Sequence, residues 1–292
     1  MKEILNGYKN YLLESEKSEN TVYAYITDVN LFIKFVEKNK LNLYSEDNLA
    51  VMSYIQHLLD DKKSERSINR IVISIRSFYS FLKESNLIKD VPKISFKGSK
   101  NAKKLPQILT IEEVDKIIKT VDKNGPKGIR DCALLEMMYA TGMKVSELIA
   151  IKVSDVNLDL SFVKCVDNKH YERLIPIGRS ALNAVEEYLK IRSTIAEVGV
   201  ENLFVNLNGK KLTRQGIWRI VKEYSQKAKV SVDVNLNTFR HSFAVHMLQN
   251  GANVRAVQKL LGNQVLTYMD TYYELMNNDK INLIYKNTHP RA

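Results

Sequence analysis

The sequence predicts a mainly α-helical fold with a small β hairpin, divided into two domains. Three observations support this fold class. Apolar residues recur with helical spacing through most of the 292 residues, a length that fits two domains. A strand, turn and strand pattern is confined to residues 161–177. Residues 91–111 include no acidic side chain but five lysines among prolines and a glycine, which marks the domain boundary.

The N-terminal domain is expected to be a unit of four helices. Its two longest apolar runs follow the i, i+3, i+4, i+7 spacing of amphipathic helices, and Asn20 or Thr21 is expected to cap the first of them. Arg66 and Arg70 stand one turn apart at the second run, opposite its apolar residues, and give that helix a basic face. The expected helices span residues 4–13, 22–36, 49–59 and 68–82.

The expected boundaries are residues 1–90 for the N-terminal helical domain, 91–109 for a basic linker and 110–292 for the second domain. Such a linker can be a solvated tether, or it can lie across phosphates. The second alternative is favoured because the chain has 44 Lys and Arg against 33 Asp and Glu, a formal net charge of +11. The linker lysines expected to contact phosphates are Lys97, Lys100, Lys103 and Lys104.

The second domain is expected to begin at Thr110, because Thr110-Ile-Glu-Glu113 is a capping box. Gly142 is placed to end a helix with left-handed backbone, which puts Lys144 in a turn before the next helix at Ser146. Two short strands form the expected hairpin, over 161–166 and 173–177. The expected helices span 129–139, the segment from 146, 179–191, 216–228, 238–249, 254–261, 266–276 and 280–285.

Composition excludes several classes of function. Cys132 and Cys165 are the only cysteines, and both stand in apolar segments, so a reducing, cytosolic compartment is expected. No apolar run approaches the ~18 residues that span a bilayer. The standard zinc and nucleotide motifs are missing, so no cofactor is expected. His241 and His246 are five residues apart, which favours core or capping roles over metal binding.

The basic charge favours a polyanionic partner, and nucleic acid is the commonest cytosolic polyanion. Polar motifs after the linker then give a specific resemblance. In order and spacing they resemble the tyrosine recombinase (lambda integrase) family, and among its members the bacterial Xer-type recombinases. The likeness covers almost the whole chain. The motifs are Ala140-Thr-Gly-Met-Lys-Val-Ser-Glu-Leu148, Lys169-His-Tyr-Glu-Arg-Leu-Ile-Pro-Ile-Gly178, Asn237-Thr-Phe-Arg-His-Ser-Phe-Ala244, Leu260-Leu-Gly-Asn263 and Tyr272.

The resemblance implies a two-domain, C-shaped clamp around double-stranded DNA, with an N-terminal core-binding domain and a catalytic domain. In this family a tyrosine hydroxyl attacks a DNA phosphodiester, giving a 3′-phosphotyrosyl link and a free 5′-hydroxyl, and no metal or nucleotide is consumed. The resemblance also implies assembly on DNA, as a homo-oligomer or as a hetero-tetramer with another tyrosine recombinase.

The resemblance assigns two residues that keep the family's usual type. Tyr272 falls on the nucleophile position, although a tyrosine at such a place could also be a packing residue. Arg240 falls on the second arginine position, where a planar guanidinium can hold a phosphate oxygen by two hydrogen bonds. Its alternative role is a buried structural ion pair. The Thr213-Arg-Gln215 helix start would present Arg214 and Gln215 to DNA bases, although both could simply be solvated.

Three further catalytic positions depart from the family's residue type. Lys144 replaces the first arginine and retains the charge without the fork. Asn237 replaces the first histidine and can donate a hydrogen bond but cannot transfer a proton near neutral pH. Asn263 replaces the second histidine, where some relatives have tryptophan, so the loss is milder. Either an active recombinase or a catalytically impaired DNA-binding relative fits this set.

The hairpin lysine of the family has no certain counterpart. Alignment without a gap places Asn168 at the general-acid position, and Lys169 is one residue away. A turn can accommodate a shift of one residue, whereas in a strand the shift would reverse the face of the side chain. Lys169 is therefore expected either as the general acid or as a solvated turn residue.

Overall fold

The structure is a computed structural model that describes residues 2–96, 106–167 and 170–262. The chain divides into two compact units, residues 1–104 and 105–292. The predicted fold class is confirmed, because the described elements are mainly helical and the only sheet among them is small and antiparallel.

The first unit is a bundle of helices. Ser18 caps the second helix by accepting a hydrogen bond from the Thr21 amide at 3.3 Å. The expectation that Asn20 or Thr21 would cap this helix was therefore wrong, and both residues lie within its first turn. Ser64 caps the fourth helix in the same way. The helices are α1 (Lys2–Glu14), α2 (Glu19–Lys38), α3 (Leu49–Asp60) and α4 (Glu65–Glu84).

The ends of the segment expected as a linker pack on folded structure. Ile94 is buried against the core of the first unit, with Val91 and Phe96 beside it, and the Arg76 guanidinium donates to the Ile94 carbonyl. Leu109 is buried in the second unit. Both ends pack in this way because they carry apolar side chains, whereas most of the lysines lie between them. Residues 97–105, with all four lysines expected to contact phosphates, lie outside the described residues.

The second unit begins with the predicted capping box at Thr110, which the structure confirms. The Glu113 amide donates to the Thr110 hydroxyl at 3.2 Å, and the Thr110 amide donates to the Glu113 carboxylate at 3.0 Å. The helices are α5 (Ile111–Lys119), α6 (Pro126–Thr141), α7 (Val145–Ala150), α8 (Arg179–Ile195), α9 (Arg214–Ala228), α10 (Thr238–Gln249) and α11 (Val254–Leu261). The helices expected at 266–276 and 280–285 lie outside the described residues.

A small antiparallel sheet interrupts these helices. Strands β1 (Val156–Asn157), β2 (Phe162–Val166) and β3 (Glu172–Pro176) are ordered β1-β2-β3. Buried positions alternate with half-buried ones along β2 and with exposed ones along β3, as the pleat requires. One inward position in β3 holds a charged residue, Arg173, opposite Cys165.

The core of the second unit forms around α6, whose Ala133, Leu134 and Leu135 are fully buried. The helix packs against α8 and α10. A smaller apolar cluster joins α10 to α11 through Phe243, Val245 and Leu261. No helix within the described residues is long and apolar enough to cross a membrane. In the same part of the chain, no group of three His, Cys, Asp or Glu side chains is placed to hold a metal ion.

Candidate active site

The turn at Gly142 connects α6 to α7 and positions Lys144. Gly142 has a φ of +56°, and its amide donates to the Met138 carbonyl at 3.2 Å, which confirms the predicted left-handed helix end. A Cβ at Gly142 would lie 2.5 Å from the Phe243 ring, so glycine is required by space as well as by conformation. Lys144 follows as the half-buried N-terminal cap of α7.

Arg240 lies on α10 and is buried. One terminal nitrogen donates to the carbonyl of Gly142 and the other to the carbonyl of Leu261, each at 2.7 Å. The side chain therefore joins three places that the sequence separates: the turn before Lys144, the helix after Asn237 and the end of α11. These two bonds hold the guanidinium plane in a fixed direction.

A second arginine, which the sequence analysis did not single out, reaches the same strip of backbone. Arg173 extends from β3, and its Nε donates to the Leu260 carbonyl at 2.7 Å. Its two terminal nitrogens donate to the Glu147 carboxylate at 3.1 and 2.8 Å. Both side chains are buried. Burial alone would lower the pKa of Arg173, but the hydrogen bonds and charge of Glu147 raise it, so the guanidinium stays charged.

Glu147 completes the connection to Lys144. Its carboxylate accepts a hydrogen bond from the Lys144 amide at 2.8 Å, three residues earlier in the chain. The Arg173 and Glu147 pair thus fixes the backbone of Lys144 at one side and that of Leu260 at the other. Two signals could have found this pair: a charged residue at an inward strand position, and a glutamate at the third position of a helix.

The Cys165 thiol lies in the same buried region. Burial, and then the charge of Glu147, raise the pKa of Cys165 to about 12. The thiol therefore remains protonated at neutral pH, which does not suit a nucleophile or a metal ligand. Both cysteines are buried and free, so the sulfur atoms belong to the core rather than to the site chemistry.

Asn237 caps the N-terminus of α10 through its backbone and leaves its side chain at the surface. Its amide donates to the Asn235 side chain at 2.9 Å, and its carbonyl accepts from the His241 amide at 2.8 Å. The Asn237 side chain makes no capping hydrogen bond.

Burial and the charge of Arg240 lower the pKa of His241 to about 4, so its ring is neutral near neutral pH.

His246 lies five residues further along α10 and is buried. Its Nδ1 shares a hydrogen bond of 2.8 Å with the Tyr139 hydroxyl. Burial lowers the pKa of His246, so this ring is also neutral near neutral pH. The contact matches the core role expected for this histidine.

Arg214 and Gln215 occupy the first turn of α9, which Thr213 caps by accepting from the Gly216 amide at 3.0 Å. Both side chains are exposed. They share an open groove with Trp218, Asn235, Leu236 and Asn237. The structure thus brings the two expected base-reading residues next to one of the expected catalytic positions, which lies on a different helix.

Four expected catalytic or hairpin residues are not described. Asn168 and Lys169 fall between β2 and β3, where the Asp167 amide donates to the Tyr171 carbonyl and the Tyr171 amide donates back to the Asp167 carboxylate, each at 3.0 Å. Asn263 and Tyr272 follow the last described residue, Gly262. The roles of these residues stay predictions.

The basic face of α4 divides into two kinds of arginine. Arg66 is exposed. Arg70 is paired within the first unit: both its terminal nitrogens donate to the buried Asp28 carboxylate, the Nη2 to Oδ1 distance being 3.0 Å. The Ser74 hydroxyl donates to the same carboxylate at 2.7 Å. Arg70 therefore stabilises the packing of α2 on α4. The exposed half of its side chain is still open to a further contact.

Comparison with known proteins agrees with this geometry. Residues 107–278 match the model of the phage integrase family, and residues 5–86 match that of its N-terminal SAM-like domain. The tyrosine recombinase XerD of Staphylococcus haemolyticus is 37% identical over 297 residues, and XerD of Listeria innocua is 33% identical over 301 residues. Each alignment spans 100% of both chains.

Solved structures share the fold. XerH recombinase bound to a palindromic difH substrate aligns with a TM-score of 0.77 and 20% identity, covering 93% of this chain and 80% of that one. A lambda integrase dimer bound to a core site gives a TM-score of 0.72 and 16% identity, covering 93% and 94%. The chain belongs to the phage integrase family. Its full-length relatives include tyrosine recombinases of the Xer type, among them both XerD proteins.

Proposed function

We propose that this protein is a site-specific DNA recombinase in which Tyr272 forms a 3′-phosphotyrosyl intermediate. The observation that carries the proposal is the double attachment of Arg240 to the Gly142 and Leu261 carbonyls. This contact joins three of the motif regions at one fixed guanidinium: the turn before Lys144, the start of α10 and the end of α11. A fixed cation is what a pentavalent phosphorane requires, because its added negative charge is then stabilised without reorganisation.

The other site residues have distinct proposed roles. Lys144, on the turn that Arg240 holds, would supply a second positive charge to the phosphate. Asn237 would donate a hydrogen bond to a phosphate oxygen from the start of α10, and Asn263 would donate another. Lys169 would protonate the leaving 5′-oxygen, a task for which an amine is chemically suited and an asparagine is not. No metal or nucleotide has a role in this scheme.

DNA contact is proposed for exposed cations and amides in both units. Arg66, Arg214 and Gln215 are exposed in the structure, and Lys97, Lys100, Lys103 and Lys104 follow the first unit. The solved relatives XerH and lambda integrase are complexes with DNA, the latter as a dimer. We propose the same partner here, double-stranded DNA, bound by a homo-oligomer or a hetero-tetramer with another tyrosine recombinase. The proposed setting is the cytoplasm.

The test uses a nicked suicide duplex that contains the protein's own site, selected from random sequences. The expected result is a protein–DNA adduct that survives denaturation and is absent from the Tyr272→Phe variant. Tight, sequence-specific binding without an adduct would contradict the recombinase proposal and support a DNA-binding relative that has lost cleavage. Binding without any sequence preference would contradict both.

The departures at Lys144, Asn237 and Asn263 give a second arm to this test. Restoring the family's residues by Lys144→Arg, Asn237→His and Asn263→His should raise the yield of adduct. A bidentate guanidinium and a proton-transferring histidine typically contribute ~10² or more to such rates. An unchanged yield in the triple variant, with binding retained, would show that some other part of the active site limits cleavage.

A further inference from the structure

The groove on α9 holds the only tryptophan of the chain. Trp218 is 47% exposed, although large aromatic residues generally bury most of their surface. It stands three residues after Gln215 and four after Arg214, so the three side chains share one face of the helix. This exposed indole is not explained by the packing of the second unit.

The chemistry of the groove matches one kind of ligand. Its lining side chains are one cation, three amides, one leucine and the indole, and the set includes no carboxylate: Arg214, Gln215, Asn235, Leu236, Asn237 and Trp218. Amides and an arginine suit phosphate oxygens and base edges. An indole has an apolar face that can cover a sugar and a single N–H donor at its edge. An open groove of this composition complements a nucleic-acid backbone.

We infer that Trp218 is a DNA-contacting residue whose ring packs against a deoxyribose in this groove, with the indole N–H donating to a neighbouring phosphate oxygen. The inference rests on the proposed function, which supplies the duplex. Because Asn237 lines the same groove from the start of α10, one stretch of DNA would touch both α9 and this position. Trp218 would thereby fix the position of the bases that Arg214 and Gln215 contact, relative to the phosphate that binds at Asn237.

The single tryptophan allows a direct test on the unaltered protein. Binding of the selected duplex is followed by anisotropy of a dye on the DNA, while indole emission and its quenching by acrylamide are recorded in the same titration. The expected result is a change in emission that saturates with binding, together with protection from acrylamide. Binding with unchanged emission and unchanged quenching would overturn the inference and leave the proposed function intact. Failure of any duplex to bind would overturn both.

Variants then measure the size of the contact. Trp218→Ala should weaken duplex binding roughly tenfold, the range found when aromatic contacts to nucleotides are truncated. Trp218→Phe retains a ring but has no N–H, so its affinity for the duplex should lie between those of the wild-type protein and Trp218→Ala. Val198→Ala is the control, because Val198 is a fully exposed apolar residue that does not line the groove. Equal affinity of Trp218→Ala and the control variant would contradict the inference.

The positioning role of Trp218 is tested separately, by the yield of the tyrosine–DNA adduct. At DNA concentrations that saturate each protein, Trp218→Ala should still form less of the tyrosine–DNA adduct than the wild-type protein does. A residue that served only folding or overall affinity would not lower the yield under saturation. An unchanged yield at saturation would restrict Trp218 to affinity and overturn its link to Asn237.

Discussion

Arg173 and Glu147 meet in two parallel hydrogen bonds inside the second unit, with Nη1 to Oε1 at 3.1 Å and Nη2 to Oε2 at 2.8 Å. Each partner also holds backbone: Arg173 the Leu260 carbonyl and Glu147 the Lys144 amide. The pair therefore connects the turn at Lys144 to the end of α11. Its first consequence concerns stability.

Glu147→Gln should lower the free energy of unfolding by about 3 to 5 kcal/mol, because it leaves the buried Arg173 guanidinium without its counterion. Urea unfolding measures the change. Glu186→Gln is the matched control, since Glu186 forms an exposed pair with Lys190 at 3.2 Å and should cost less than about 0.5 kcal/mol. Similar values for the two variants would show that the buried pair does not stabilise the fold.

Gly142→Ala should destabilise the protein more than a glycine replacement at an ordinary left-handed position. At Gly142 the added Cβ meets the Phe243 ring at 2.5 Å and the Leu261 side chain at 2.8 Å, whereas at Gly251 it meets nothing within 4 Å. Both residues have positive φ and follow helices. Gly251→Ala should cost ~1 to 2 kcal/mol from conformation alone, and Gly142→Ala a further ~1 to 3 kcal/mol from overlap. Equal losses in urea unfolding would mean that the neighbouring side chains move aside freely.

Arg66→Ala and Arg70→Ala should separate DNA contact from packing on α4. Arg66→Ala should weaken duplex binding and reduce the salt slope of the binding constant by about one, with stability changed by less than ~0.5 kcal/mol. Arg70→Ala should lower the free energy of unfolding by about 1 to 3 kcal/mol, because the buried Asp28 carboxylate loses two hydrogen bonds. If Arg70→Ala instead reduces the salt slope and leaves unfolding unchanged, Arg70 is a phosphate contact and its pairing with Asp28 is unimportant.

Stability should fall with acidification through the titration of His241. Its pKa in the folded protein is lowered from 6.5 to about 4 by burial and by Arg240. Between these values the unfolded chain binds more protons than the folded one, so the free energy of unfolding decreases as the pH drops through this window. Urea midpoints recorded across the window should show the decrease.

The His241→Gln variant is the comparison for this pH dependence. It should show a shallower decrease than the wild-type protein, and His246, whose pKa is also lowered by burial, contributes to the decrease that is left. Identical pH profiles for variant and wild type would place the titrating groups elsewhere.

Much of the helical structure could be predicted because it follows from local patterns. The bounds of α10 and α11 are those expected, and the caps at Thr110 and Gly142 depend on residues within one turn. The cap of α2 was misplaced because Ser18, Asn20 and Thr21 all have good capping side chains, and local preference does not choose among them. β1 has only two residues and is defined by its pairing with β2, so it has no periodicity to detect.

The site was predictable only in part, because its organisation is tertiary. Lys144, Arg240 and Asn237 could be selected by motif, but the contacts that connect them could not. Arg173 and Glu147 are 26 residues apart, and nothing in their spacing indicates a buried pair. Similarly, Trp218 and Asn237 lie on different helices, and only the fold shows that they line one groove.

The two arginines that hold Leu260 and Leu261 come from different elements, β3 and α10. Their bonds fix the end of α11 during folding, before any DNA binds. The loss of conformational entropy at this point is therefore incurred once, during folding, and does not recur with each binding event. In kinetic terms, no step of DNA binding has to position the end of α11, because the two arginines have already placed it.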